Sequence, residues 1–262
     1  MNGYEKQMLE VLKRGRDHGV VSVKAEFEAE GTRVDELLRL LEIARRADLK
    51  VAIKIGGCEA IRDLIECRLY GVDYVIAPMV ETPYALSKYI AGKNKFFPQD
   101  EQDGIGFLFN VETRSTFDHL EKLGEVAAAG RTGMVFGRVD FAGSMGRKRD
   151  FVNTDEMIGY VCDVAKVARK HDLDLVVGGG VSPESIEPLR KVREIRLDRF
   201  ETRKVVFDAA VLDGNEAHLG MELAIEFELL WLKNKRDYYN TIGAEDAERI
   251  RMMEERQLAR AA

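Results

Sequence analysis

GIGFLFNVETRSTFDHLEKLGEVAAAGRTGMVFGRVDFAGSMG, residues 104–146, holds two apolar runs that each end in a carboxylate. FLFNV runs into Glu112 and MVFGRV into Asp140, with a helical stretch between them. Strand, helix and strand in that order predict a βαβ unit with parallel strands. The C-terminal ends of parallel strands point one way, so Glu112 and Asp140 are expected side by side at one mouth of the sheet. Two carboxylates held together repel unless one is protonated or a cation lies between them. A hard divalent ion, Mg²⁺ or Mn²⁺, is the expected partner for such oxygens. The plainer alternative is that Glu112 caps the following helix, where acidic side chains suit the first turn.

Outward from this unit the alternation continues. VVSVKAEF (20–27), VAIKI (51–55), YVIAPM (74–79), DLVVGGG (174–180) and LDRFETRKVVF (197–207) are strand-like, separated by helical stretches such as VDELLRLLEIARR (34–46). This predicts an α/β chain, a parallel sheet closed into a (β/α)₈ TIM barrel. Seven runs are counted where a barrel needs eight. The missing strand is expected near the N-terminus, as an irregular first strand, or the barrel is incomplete. A doubly wound nucleotide fold is disfavoured: the sequence has no GxGxxG after its first strand and no GxxxxGK[ST]. The barrel is assigned to residues 1–215. Residues 216–262 are a charged helical extension, long enough for two helices. Its apolar residues Leu223, Ile225, Phe227, Leu229, Leu230 and Trp231 need a surface, on the barrel or on a neighbouring subunit.

Composition narrows the function. The chain has 262 residues, 33% of them charged, with a net charge of −6. That balance argues against nucleic acid or an anionic membrane as the main partner. No run approaches the ~20 apolar residues of a membrane span. Three widely spaced cysteines and no apolar leader at the start suggest a reducing cytoplasm. Four histidines without HExxH make a zinc site an unlikely design.

Three segments carry a resemblance. KIGGCEAIRDLIECRLYGVDYVIAPMVETPYAL (54–86) is similar to a segment of the HpcH/HpaI aldolase and citrate lyase β-subunit family, and so are VET (111–113) and GRVDFAGSMG (137–146) in their order and spacing. The resemblance spans roughly residues 50–180. It implies a (β/α)₈ barrel of the phosphoenolpyruvate/pyruvate group that binds Mg²⁺ or Mn²⁺ and acts on 2-oxo acids or acyl-CoA esters. It makes Glu112 and Asp140 the metal ligands, and it implies a trimer or hexamer whose C-terminal helices pack on neighbours. An arginine of the family supports the oxyanion; the matching position here is Lys54, which keeps the charge without the bidentate fork. The family's acidic–histidine pair matches KAEFEAEG (24–31), which has no histidine. Glu26, Glu28 and Glu30 share one face there, and Glu28 is the candidate base. For Lys54 and these glutamates the plainer alternative is a solvated side chain.

The resemblance and the residues together imply a metal-dependent carbon–carbon lyase that makes or cleaves a 2-oxo acid through an enolate. Gly137, Arg138 and Val139 beside Asp140 are expected to meet the substrate. Arg199 and Arg203, sharing a face of the last run with Glu201, are expected to bind a substrate anion. Gly178–Gly180 before Ser182 form either an anion pocket or a tight turn. The extra cations predict an acidic or phosphorylated substrate. Two other functions stay open: a related lyase or transferase with a different 2-oxo or phosphoenolpyruvate-like substrate, and a non-catalytic ligand-binding barrel. The expected partners are a 2-oxo acid with an aldehyde, and further copies of the chain.

Overall fold

The computed structural model describes residues 1–261. Its centre is a closed barrel of eight strands in sequence order. They are β1 (Val20–Glu26), β2 (Lys50–Lys54), β3 (Tyr74–Ala77), β4 (Gly106–Val111), β5 (Gly133–Gly137), β6 (Leu175–Gly178), β7 (Arg199–Glu201) and β8 (Val205–Asp208). β1 to β7 pair in parallel, each with the next. Parallel strands are covered on both faces, which is why FLFNV, GMVFG and LVVG read as nearly unbroken apolar runs. Inside the barrel Ala52, Ile76, Leu108, Val135 and Val176 form one apolar layer, sealed from below by Tyr74. The interior is therefore filled, and polar chemistry is confined to the space above that layer.

The eighth strand lies within the last strand-like run, not near the N-terminus. LDRFETRKVVF folds as a hairpin. Thr202 N–H donates to the Val205 carbonyl at 2.9 Å and Val205 N–H donates to Thr202 Oγ1 at 3.2 Å. A turn of three residues cannot carry a crossover helix, so β8 returns antiparallel to β7 and closes the barrel antiparallel to β1. Phe200 faces Phe207 across the hairpin with rings stacked 4.9 Å apart. The one register shift at this seam lies between Val20 and Ser22 of β1.

Short connections hold the upper face in place. Thr82, Thr113 and Thr154 cap the helices that begin just after them, each hydroxyl accepting a backbone N–H three residues on. At the helix after β4 the cap is thus Thr113, and Glu112 is free to turn inward. The C-terminal extension is a single helix, Ala217–Ala261, and not a pair. Its 45 residues make a rod of about 67 Å. Met221, Ala224, Phe227, Leu230 and Trp231 are buried in its first half, which packs along the first helix, Gly3–Arg16. Ile225 and Leu229 stay exposed, and from residue 240 to 260 the helix is exposed on every side. Among the described residues no helix is long and apolar enough to cross a membrane.

Candidate active site

Above the apolar layer the strand ends surround a cavity of about 520 Å³. Alternate residues of six strands point into it: Lys24 and Glu26 from β1, Lys54 from β2, Asn110 and, just past its end, Glu112 from β4, Gly137 from β5, Gly178 from β6 and Glu201 from β7. Val139 and Asp140 follow β5 on the short helix Arg138–Ser144.

Glu112 is 1% exposed. Its Oε1 accepts the Met79 N–H at 2.8 Å and its Oε2 accepts Asn110 Nδ2 at 2.6 Å. Met79 reaches it from a left-handed backbone, φ 52°, a conformation that costs a non-glycine residue about 1–2 kcal/mol. Burial raises the Glu112 pKa above its ordinary value, against the opposing pull of Lys54. Asp140 is exposed to the cavity and makes no side-chain hydrogen bond or ion pair among the described residues. Gly137 stands between the two carboxylates. A Cβ there would lie 3.1 Å from Glu112 Oε2 and 4.0 Å from Asp140 Oδ2, so both oxygens border one small space.

These donors fit a divalent ion. The Oδ1 of Asn110 is buried without a hydrogen-bond partner, beside a desolvated carboxylate and across from a bare one. All are hard oxygens of the kind Mg²⁺ and Mn²⁺ prefer. Six carboxylates line the cavity against four cations. Lys24 is shared by Glu201 and Glu26, and Lys54 by Glu28 and Glu112, so each lysine leaves one negative charge unmatched, and Asp140 has no ion-pair partner among the described residues. Among the described residues no group of three or more His, Cys, Asp or Glu comes together at ligand spacing. A two-carboxylate site leaves the other positions to water and substrate oxygens.

Lys54 Nζ lies 3.2 Å from Glu28 Oε2 and 3.9 Å from Glu112 Oε2. Burial pushes its pKa down, but Glu112, Glu26 and Glu28 together push it up further, so the ammonium stays charged. Lys54 is thus buried and paired, while Glu28, its partner, keeps an exposed side chain. Glu28 sits on the cavity wall as the partner of Lys54.

The structure divides the remaining candidates. Gly137, Val139 and Arg203 line the cavity, Arg203 from the hairpin turn at its rim. Arg138 does not. It is fully buried and points beneath the loop, donating to the Gly178 and Val152 carbonyls, Asn153 Oδ1 and Ser185 Oγ at 2.9–3.3 Å. With no carboxylate to offset desolvation, its pKa is lowered to about 10. It ties the β5 and β6 ends to the following loops. Arg199 is also misassigned. Arg199 and Glu201 share one face of β7, but Arg199 stands at the start of the strand, two residues before Glu201, and so at the lower end of the barrel. There it pairs with Asp174 at 2.7 Å and lies over Tyr74, in a separate cleft.

Gly178–Gly180 form the tight turn, at the edge of the cavity: a Cβ on Gly179 (φ 80°) would stand 2.6 Å from the Val139 nitrogen. The sequence reading missed Lys24, Asn110, Arg149 and the terminal-helix residues Ala224, Ile225 and Glu228, all on the cavity wall. Lys24 and Asn110 each stand two residues before a recognised glutamate on the same strand face, a signal that was available. The helix residues had none.

No family model matches the sequence, and no curated protein matches it. Solved structures do. An HpcH/HpaI aldolase from Desulfitobacterium hafniense DCB-2 superposes with a TM-score of 0.60 at 13% identity, covering 78% of this chain and 84% of that one. The chain shares the barrel fold of that protein. An HpcH/HpaI aldolase/citrate lyase family protein from Burkholderia cenocepacia J2315 gives 0.62 at 12% identity, over 76% of this chain and 83% of its own. Citrate synthase SbnG gives 0.59 at 17%, over 88% and 90%. The HpcH/HpaI resemblance of the quoted segments is therefore matched by the architecture that carries them, and at these identities the likeness is one of fold.

Proposed function

We propose that this HpcH/HpaI-type barrel is a metal-dependent carbon–carbon lyase that makes or cleaves a 2-oxo acid through an enolate. The observation that supports it most is the space bordered by Glu112, Gly137 and Asp140, with the unpartnered Asn110 Oδ1 beside it. Glu112 and Asp140 would hold a Mg²⁺ or Mn²⁺ ion, which supplies Lewis-acid polarisation of the 2-oxo group when bound. Gly137 admits the substrate between the carboxylates where any side chain would fill the space. Lys54 keeps a positive charge beside the oxygen on which negative charge develops. Glu28, in contact with Lys54, takes the proton of the C4 hydroxyl as the C3–C4 bond breaks, and returns it to C3 of the enolate. The buried Lys24–Glu201–Glu26 group forms the charged wall opposite and restricts the site to polar substrates.

Arg149 at the rim has no ion-pair partner among the described residues, and Arg203 is tied only loosely, 3.5 Å from Glu30. That pair favours an acidic or phosphorylated substrate or acceptor within the same chemistry. Three unpaired thiols suit a reducing cytoplasm. The bare half of the terminal helix, with Ile242, Ile250, Met253 and Leu258 exposed, suits packing against further copies of the chain.

Exchange of the C3 protons of pyruvate with deuterium tests the chemistry without knowing the acceptor. Exchange that needs Mg²⁺ or Mn²⁺ and falls on the order of 10³-fold in Glu112→Gln and Asp140→Asn is expected. Undiminished exchange in both variants, or after chelation, would overturn the proposal.

A further inference from the structure

The loop that carries Glu28 is held from outside the parallel part of the barrel. Its two ends are tied by backbone bonds, Phe27 N–H to the Lys54 carbonyl at 2.8 Å and Thr32 N–H to the Glu26 carbonyl at 3.1 Å. Its middle is tied by Glu30. The Glu30 carboxylate pairs with Lys204 Nζ through Oε2 and stands 3.5 Å from Arg203 Nε through Oε1, and Thr32 Oγ1 donates to Oε2 at 3.4 Å. Lys204 is 3% exposed. Its ammonium lies 5.5 Å from the centre of the Trp231 ring, and its carbonyl accepts the Lys24 N–H at 2.8 Å. A buried ammonium is costly unless it is paired, and here the pairing group is Glu30. The contact exists because the chain turns back at residues 202–204. A parallel eighth strand entered through a helix would not place a lysine there.

We propose that the Glu30–Lys204 pair is a latch between the closing hairpin and the β1 loop, and that it holds Glu28 against Lys54 during proton transfer. Glu30 and Lys204 are then positioning residues, two steps from the substrate. The proposal rests on Glu28 being the proton carrier. The hairpin and the terminal helix, through Trp231, thereby set the geometry of a site whose metal-binding carboxylates stand across the cavity. A displaced base slows the chemical step and leaves binding intact, because Glu112, Asp140 and Lys54 belong to other strands.

The test is deuterium exchange into pyruvate with Mn²⁺, run beside calorimetric titration with oxalate, an enolate mimic. Lys204→Met and Glu30→Gln are each expected to lower kcat on the order of 10–100-fold while KM and oxalate affinity stay within about twofold. Adding Glu28→Gln to either is expected to cost no more than Glu28→Gln alone, because all act on one step. The exchanged pair, Glu30→Lys with Lys204→Glu, is expected to recover most of the rate. The fluorescence of Trp231, the sole tryptophan, shows whether the helix still packs in each variant. Unchanged kcat in both single variants overturns the latch, and so does a parallel fall in kcat and oxalate affinity. Full exchange by Glu28→Gln has a separate meaning: it removes Glu28 as proton carrier, and the latch with it. If Lys204→Met does not fold, Glu30→Gln, whose side chain lies nearer the surface, carries the test alone.

Discussion

The two sides of the barrel mouth are built differently. On the β4–β5 side each strand is followed by a helix, the one after β4 capped by Thr113, and the functional side chains sit at or just beyond the strand ends. There Glu112 is hydrogen-bonded and lies 3.9 Å from Lys54, while Asp140, across the space at Gly137, has no side-chain hydrogen bond or ion pair among the described residues, and Asn110 Oδ1 is buried without a partner. On the β7–β8–β1 side a hairpin closes the sheet antiparallel, and the side chains are compensated: Lys24 with Glu201 and Glu26, Lys204 with Glu30. One side is arranged to take a ligand and the other to hold itself together. Charge left unbalanced at a buried site is the feature that separates a binding position from a structural one.

That contrast is testable first where charge is most buried. Glu201→Gln leaves the Lys24 ammonium with Glu26 alone and is expected to destabilise the protein by about 3 kcal/mol, seen as a lower urea midpoint. The sign of its pH dependence follows from Lys24. Burial lowers the pKa of that group, but Glu201 and Glu26 more than offset this, so the folded value lies above the ordinary 10.5. Stability from the charged lysine is therefore complete below pH 10.5 and is lost as pH rises through the raised value. The gap between wild type and Glu201→Gln should hold through neutral pH and narrow only in the alkaline range. A gap that widens with alkali contradicts this.

Arg138 gives a smaller effect of another kind. Arg138→Met removes hydrogen bonds to two carbonyls and two side chains and is expected to cost about 2 kcal/mol, measured by chemical unfolding, with KM for the 2-oxo acid unchanged. A selective rise in KM would return Arg138 to the substrate site. The smallest effect belongs to Arg199. Arg199→Gln loses an ion pair at the far end of the barrel and is expected to leave both kinetic constants within about twofold.

The same division explains what was legible in the sequence. Alternation and turn signals made β1 to β7 readable, and the carboxylates at the ends of β4 and β5 followed from strand direction alone. The closing strand was hidden because FETRKVVF looks like one continuous run. Its reversal depends on Thr202 folding back on Val205, a local hydrogen bond that polar composition does not announce. Arg199 was misread for that reason, since a single strand would have put it on one face with Arg203, which does line the cavity. Arg138 failed differently. It immediately follows the last strand residue, Gly137, where the chain enters a helix and the two-residue alternation stops applying. Lys24 and Asn110 were within reach, each in phase with a recognised glutamate. The reach of the terminal helix over the cavity depends on tertiary packing against the first helix.

Calorimetric titration with oxalate, with and without Mg²⁺ or Mn²⁺, tests the central claim most directly. Binding that requires the metal and disappears in Asp140→Asn is the predicted result. Equal binding without metal, or metal-dependent binding that survives in Asp140→Asn, would contradict the assignment of the Glu112–Asp140 side as the enolate site.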